Sequence, residues 1–233
     1  MKRVTAFVGS ARKKLTYYAV RQFLDNLRSL GEVEHEIVAL SHHRLGTCRG
    51  CKLCFGKGED LCPLKDDRDV LIEKIMASDG VVFATPNYSF QVSAITKIFL
   101  DRLGFIFHRP RFFGKTFTSI VAQGFFGGNK MVKYLDFVGS GLGFNTVKGC
   151  SVTALEPMTE KETKIDRALA EQSRRFYDRL VKPAYPAPTL FELWAFRMGR
   201  TNIRLMLDDA DIPIRLSVSD CPTGWSDKQG NRR

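Results

Sequence analysis

Short apolar, β-branched runs alternate along this chain with segments of helical period, and that alternation confines it to few folds. The first run, Val4, Ala6, Phe7 and Val8, leads into Gly9-Ser10-Ala11-Arg12-Lys13-Lys14. Tyr18, Val20, Phe23, Leu24, Leu27 and Leu30 then recur at helical spacing, with Gly31 where a C-cap belongs. His35–Leu40 reads as a second strand, Arg68–Met76 as a second helix, and the unbroken apolar run Val81–Thr85 as a buried third strand. After Pro86-Asn87-Tyr88-Ser89-Phe90 comes a helix with Val92, Ile95, Ile98, Phe99 and Leu103 on one side. Thr116–Gln123 is the fourth strand and Lys130–Val138 the next helix; a fifth strand lies near Asn145–Ala154. Thr159-Glu160-Lys161-Glu162 opens a last long helix that runs to Leu180.

Strands and helices in this order predict an α/β fold, a flavodoxin-like doubly wound five-stranded parallel sheet. Ligands of such sheets sit past the carboxyl ends of the strands. The 233 residues, 44% hydrophobic, suffice for one core domain with appendages. That domain is expected over residues 1–182, interrupted by a long loop over 41–67 without periodicity; loops of that length in compact domains are usually functional or disordered. Residues 183–233 are expected to hold a proline-rich linker, an apolar helix over Leu190–Leu207 that docks on the core or on another subunit, and a tail from Ser217. No apolar run reaches the ~20 residues of a membrane span, and the apolar stretch after Met1-Lys2-Arg3 is too short for a signal-peptide core, so the reading expects a cytoplasmic protein.

The loop after the first strand is a candidate anion site. Unpaired N–H groups and the positive dipole end at a helix start attract a phosphate. Ser10 and Thr16 offer hydroxyls, Arg12 a fork, and Lys13 and Lys14 point charge. An ordinary basic βα turn fits these residues equally well. The net charge of +11 favours anionic company, yet it is interspersed with acids and forms no basic stripe, so a nucleotide pocket explains it better than nucleic acid.

With G-S-A-R in the first loop, C-R-G-C-K-L-C…C-P-L-K-D-D in the long loop, P-N-Y after strand three, V-S-A-I-T-K-I-F-L-D-R in the next helix and G-F-F-G-G after strand four, the chain resembles the flavodoxin-like NAD(P)H-dependent FMN reductases, and among them the iron–sulfur flavoprotein branch. The resemblance spans about residues 3 to 130. It implies an FMN with its phosphate at Ser10, Arg12 and Thr16 and its ring along Pro86, Asn87, Tyr88, Ser89 and Phe90 and against Gly124 and Phe125. It implies NAD(P)H as co-substrate, an electron acceptor the sequence does not name, and a homo-oligomer, dimer or tetramer. No catalytic acid or base is called for, because the flavin carries the reactive atom. Lys13, Lys14 and Leu15 depart from the small residues common in the family's first loop, and Phe125 and Phe126 stand where relatives often carry glycines.

Cys48, Cys51, Cys54 and Cys62 form C-x2-C-x2-C-x7-C, leaving Cys150 and Cys221 elsewhere. Two-residue spacings let three thiolates converge on one cluster with a fourth arriving from further along. A [4Fe–4S] cluster, unmetallated thiols and zinc remain open, in that order. Cys150 reads as a buried small hydrophobe. Three functions follow: an FMN-dependent oxidoreductase fed by NAD(P)H, a ferredoxin-linked iron–sulfur flavoprotein carrier, or a basic four-cysteine zinc module for nucleic acid or protein. Turnover with NAD(P)H separates the first two, and colour separates both from the third.

Overall fold

The computed structural model describes residues 1–154 and 158–182, and beyond them Leu190, Leu193, Trp194, Arg197, Met198, Gly199 and Thr201. Those last residues are helical, while the remainder of the expected Leu190–Leu207 helix, the linker over 183–188 and the tail from Ser217 lie outside the described residues. The chain divides into two compact units, residues 1–46 with 66–187, and residues 47–65 with 188–233.

In chain order the elements are β1 (Lys2–Val8), α1 (Leu15–Leu30), β2 (Val33–Ala39), the single-turn α2 (Leu53–Gly56), α3 (Arg68–Met76), β3 (Gly80–Tyr88), β4 (Gln91–Val92), α4 (Ala94–Arg102), β5 (Thr116–Gln123), α5 (Gly128–Gly141), β6 (Asn145–Thr146), β7 (Cys150–Thr153) and α6 (Met158–Val181). The sheet order is β2-β1-β3-β5-β6, with β7 also on β5 and β4 on β3. Every pairing is parallel except β3 with β4. This is a flavodoxin-like sheet: the chain winds outward from β1 to β2 and then returns past β1 to β3. The resulting switch point opens a crevice at the carboxyl ends of β1 and β3.

Alternation along the strands sends side chains to two dry faces. Val4, Ala6, Val8, Val82, Ala84, Ile120 and Ala122 share one core with Val20, Phe23 and Leu24 of α1 and Leu169, Phe176 and Leu180 of α6. The opposite face carries Phe7, Phe83 and Phe117. Phe83 meets Phe117 edge-on at 5.1 Å and Phe7 at 5.7 Å, and Phe99 of α4 stacks on Phe7 at 5.4 Å. Edge-to-face pairs add about 0.5–1.5 kcal/mol each beyond the area they bury.

Four sequence expectations are corrected. The second strand begins at Val33 rather than His35. The third continues through Pro86 to Tyr88, because Pro86 at the strand's outer end pairs in register with Ala122. Val92, expected on a helix, belongs to β4, and Ser93 caps α4 instead. The fifth strand is two pieces: between Phe117↔Thr146 and Ile120↔Cys150 one strand advances three residues and its partner four. That extra residue is a bulge, and the Asp136 carboxylate takes up its loosened Gly149 amide at 3.2 Å together with the Ser119 hydroxyl at 2.9 Å.

The segment expected to be structureless, 41–67, holds a 3₁₀ turn at Leu40–His42, the single-turn α2 and another 3₁₀ turn at Glu59–Leu61. Turns of three or four residues leave no apolar period to read. Its two flanks are fastened to each other within the first unit. Asp67 accepts the Arg44 amide at 2.7 Å and returns its own N–H to the Arg44 carbonyl at 3.0 Å. Asp66 accepts the Gly46 amide at 2.8 Å and the Arg102 guanidinium at 2.9 Å, both side chains of that ion pair being nearly fully buried.

Candidate functional site

Three loops meet at the carboxyl edge of the sheet, after β1, β3 and β5. The first is fixed from below by hydroxyls. The Gly9 amide donates to the Ala84 carbonyl at 2.8 Å, and the Ser93 hydroxyl donates to the Gly9 carbonyl at 2.6 Å. Ser93 also accepts the Thr96 amide as the cap of α4, while Thr96 donates to Thr85 at 3.0 Å and Thr85 accepts the Ser93 amide at 3.1 Å. A β-carbon on Gly9 would stand 1.8 Å from the Thr96 hydroxyl, so only glycine lets β1 and α4 approach here. Sequence reasoning missed this buried Thr85, Ser93 and Thr96 cluster, although Ser93 three residues before Thr96 is the spacing of a helix cap.

Ser10 and Thr16 are buried and Arg12 is exposed. The Ser10 hydroxyl donates to the Arg12 carbonyl at 2.9 Å, and the Arg12 guanidinium reaches the Tyr88 hydroxyl at 3.3 Å, linking the first loop to the second. No side chain caps α1 and no acid occupies its first turn. Its leading N–H groups are therefore left without a capping side chain, beside Arg12, Lys13 and Lys14, as a start that could receive an anion.

The second loop is a two-residue hairpin. Asn87 pairs with Val92 and Tyr88 with Gln91, and the turn residues Ser89 and Phe90 both lie in the left-handed region, at φ 51° and 62°. A turn of that kind ordinarily carries Asn-Gly. Two side-chain-bearing residues held there store on the order of 1–3 kcal/mol of strain each, a feature that clusters at functional sites. The Asn87 amide nitrogen donates to the Phe126 carbonyl at 3.0 Å and ties this loop to the third. Its Oδ1 is buried and has no hydrogen-bond partner among the described residues.

In the third loop Gly127, at φ 95°, turns the chain into α5, whose first amide, that of Gly128, donates to Gln123 Oε1 at 2.6 Å. A β-carbon on Gly124 would meet nothing within 4 Å, so the space above it is open. Tyr88, Phe90, Phe125 and Phe126 are 44%, 61%, 70% and 57% exposed, a concentration of aromatic surface spanning two loops. Phe90 packs on Phe126 at 5.2 Å and Phe126 on Phe125 at 5.1 Å. The expected residues thus stand in three adjoining loops, with phosphate-type donors at one end and apolar faces at the other. An acceptor without a donor lies on the second of those loops.

The second unit carries the four cysteines, none of them in a disulfide among the described residues, Cys48 exposed and Cys62 buried. Burial raises the Cys54 pKa, and the charges of Cys62, Cys48 and Cys51 raise it further, so the four sense one another. Among the described residues no three His, Cys, Asp or Glu side chains are drawn together so that they could hold a metal ion. No described helix is long and apolar enough to cross a membrane.

Comparison with known proteins bears on family and fold. The model of the family described as NADPH-dependent FMN reductase matches residues 2–156. An iron–sulfur flavoprotein of Archaeoglobus fulgidus is 36% identical over 124 residues, 51% of this chain and 53% of that protein. One from Methanocaldococcus jannaschii is 35% identical over 101 residues, 43% of this chain and 51% of that protein. The chain thus spans about half the length of these relatives. Among solved structures, the apo form of an NADH:FMN oxidoreductase superposes with a TM-score of 0.59 at 17% identity, covering 80% of this chain and 92% of the other, which speaks to the fold.

Proposed function

Because the chain belongs to the NADPH-dependent FMN reductase family, its matched residues 2–156 covering most of the first unit, we propose that it is an FMN-dependent oxidoreductase fed by NAD(P)H. The uncapped start of α1 beside Arg12 carries this reading, and the aromatic surface across the second and third loops accompanies it. Bound FMN would supply a ring that takes a hydride and gives electrons up again. The chain's part is binding and orientation. The first-turn amides of α1, with Thr16 and Arg12, hold the phosphate. Asn87 Oδ1 accepts from an N–H or O–H of the cofactor, and so gains the partner it lacks among the described residues. Tyr88, Phe90 and Phe125 shield the ring from water, and open space above Gly124 admits it. No side chain is needed to move a proton.

Cys48, Cys51, Cys54 and Cys62 are proposed as ligands of a [4Fe–4S] cluster. Four thiols in this spacing are the donor set such a cluster takes, and the two iron–sulfur flavoproteins above bear that name. The observed thiols are not gathered, so loading requires the 47–65 segment to close on itself.

Titration of apoprotein with FMN, followed by quenching of flavin fluorescence, tests the core of the reading. One FMN should bind per chain, and Arg12→Ala should weaken it about 10- to 100-fold, the cost of one charge-assisted bond. Absence of binding overturns the proposal. Oxidation of NADH or NADPH by the loaded protein tests the donor, and iron with acid-labile sulfide tests the cluster.

A further inference from the structure

A second feature of the first unit shares only Lys13 and Lys14 with the surroundings of the proposed flavin phosphate site. An open groove of about 520 Å³ runs along α1 toward the edge strand β2. Its wall is made by Lys13, Lys14, Tyr17, Tyr18 and Arg21. Tyr17 and Tyr18 precede Arg21 by four and three residues on one side of α1, and Lys13 and Lys14 come just before its first residue, Leu15. Ile37 and Ala39, two apart on β2, give the groove its apolar floor, and His42 closes the end.

The groove is unbalanced in charge. Among the described residues the side chains of Lys13, Lys14, Arg21 and His42 have no ion-pair or hydrogen-bond partner. The nearby Asp166 carboxylate is taken by the Tyr18 hydroxyl at 2.9 Å. Three permanent cations around two tyrosine rings over an apolar floor suit a flat aromatic group bearing phosphate. Position narrows the choice. The groove adjoins the first loop on the side away from β3, and β2 and β5 are three strand spacings apart, roughly 14 Å. An extended dinucleotide with its nicotinamide at the β3 and β5 loops can therefore lay its other end here.

We infer that this groove binds the adenosine end of NADPH, with Tyr17 and Tyr18 against the base and Lys13, Lys14 and Arg21 on the 2′-phosphate. The inference rests on the proposed use of a nicotinamide donor, and it assigns the residues that distinguish NADPH from NADH.

The test uses the full chain loaded with FMN and adenosine 2′,5′-bisphosphate as probe, measured by calorimetry against 5′-AMP and inorganic phosphate. The bisphosphate should bind at least about tenfold tighter than either. Arg21 is exposed on α1, so Arg21→Glu leaves the fold intact. It should weaken the bisphosphate and raise the KM for NADPH by about tenfold or more, leave the KM for NADH and the affinity for FMN within about twofold, and be largely rescued in Arg21→Lys. Bisphosphate binding no tighter than 5′-AMP or phosphate, or unchanged in Arg21→Glu, overturns the inference. Bisphosphate binding that depends on Arg21 in a protein that oxidises neither nicotinamide supports the groove and overturns the donor instead.

Discussion

Cysteines in this chain differ in what their surroundings let a thiol do. Cys150 donates its S–H to Gln172 Oε1 at 2.6 Å, and burial pushes its pKa up to about 12 although Arg175 pulls the other way. Gln172 is fully buried and completes the network through the Thr118 hydroxyl and the Ser119 carbonyl, so the thiol is both neutral and fixed. Alkylation with iodoacetamide near pH 8, read by peptide mass spectrometry, should therefore mark the exposed Cys48 quickly and leave Cys150 unmarked until the protein is unfolded. Sequence alone suggested a small hydrophobe at Cys150; its hydrogen bond comes from α6, which no local pattern could connect to β7. The grouping of Ser10, Arg12 and Thr16 was legible because hydroxyls and a guanidinium within one turn of a helix start are a local pattern, and the structure puts them at the start of α1. Asn87 stood out in the sequence through the resemblance, but its orphaned oxygen did not, since that depends on the third loop claiming its amide nitrogen.

Among the elements, the β3–β4 hairpin shows where reading by pattern fails. Pro86 reads as the end of a strand, and Ser89-Phe90 has none of the Asn or Gly that announces a two-residue turn. Tertiary pairing overrides both signals: Pro86 is held by β5, and the turn by the Asn87 bond to Phe126. The long apolar strands β1, β3 and β5 were legible because burial on both faces removes polar residues, whereas the bulge between β6 and β7 depends on register alone. Because Ser89 and Phe90 both hold left-handed backbone, replacing the pair by Asn-Gly should stabilise the apoprotein by about 1–3 kcal/mol, seen as a raised Tm. The same exchange removes the Phe90 face and should weaken FMN. A Tm that falls would show that Phe90 contributes more through Phe126 than its backbone costs.

At the scale of the molecule, the buried Asp66–Arg102 pair joins the loop flank to α4. Burial works to raise the Asp66 pKa, but the amides of Gly46 and Arg68 and the Arg102 guanidinium outweigh it and hold it below its ordinary value. An unfolded aspartate titrates near about 3.9. The stabilisation is therefore complete above that value and disappears as pH falls through the lower, folded one. Acid unfolding followed by circular dichroism should steepen below about pH 4 in the wild type and less so in Asp66→Asn. That variant should also lose about 3–5 kcal/mol at neutral pH, because Arg102 is left buried without this carboxylate.

The bonds between Arg44 and Asp67 have a further consequence, in the order of assembly. A detour that leaves and rejoins the chain at one place adds little closure entropy to the rest. The sheet can therefore form before the cysteine segment has done anything, and on the proposed cluster reading iron would reach an already folded protein. Chains made in iron-depleted cells should then melt cooperatively, within a few degrees of the loaded form and still able to take up FMN, unlike small domains whose folding waits on their metal.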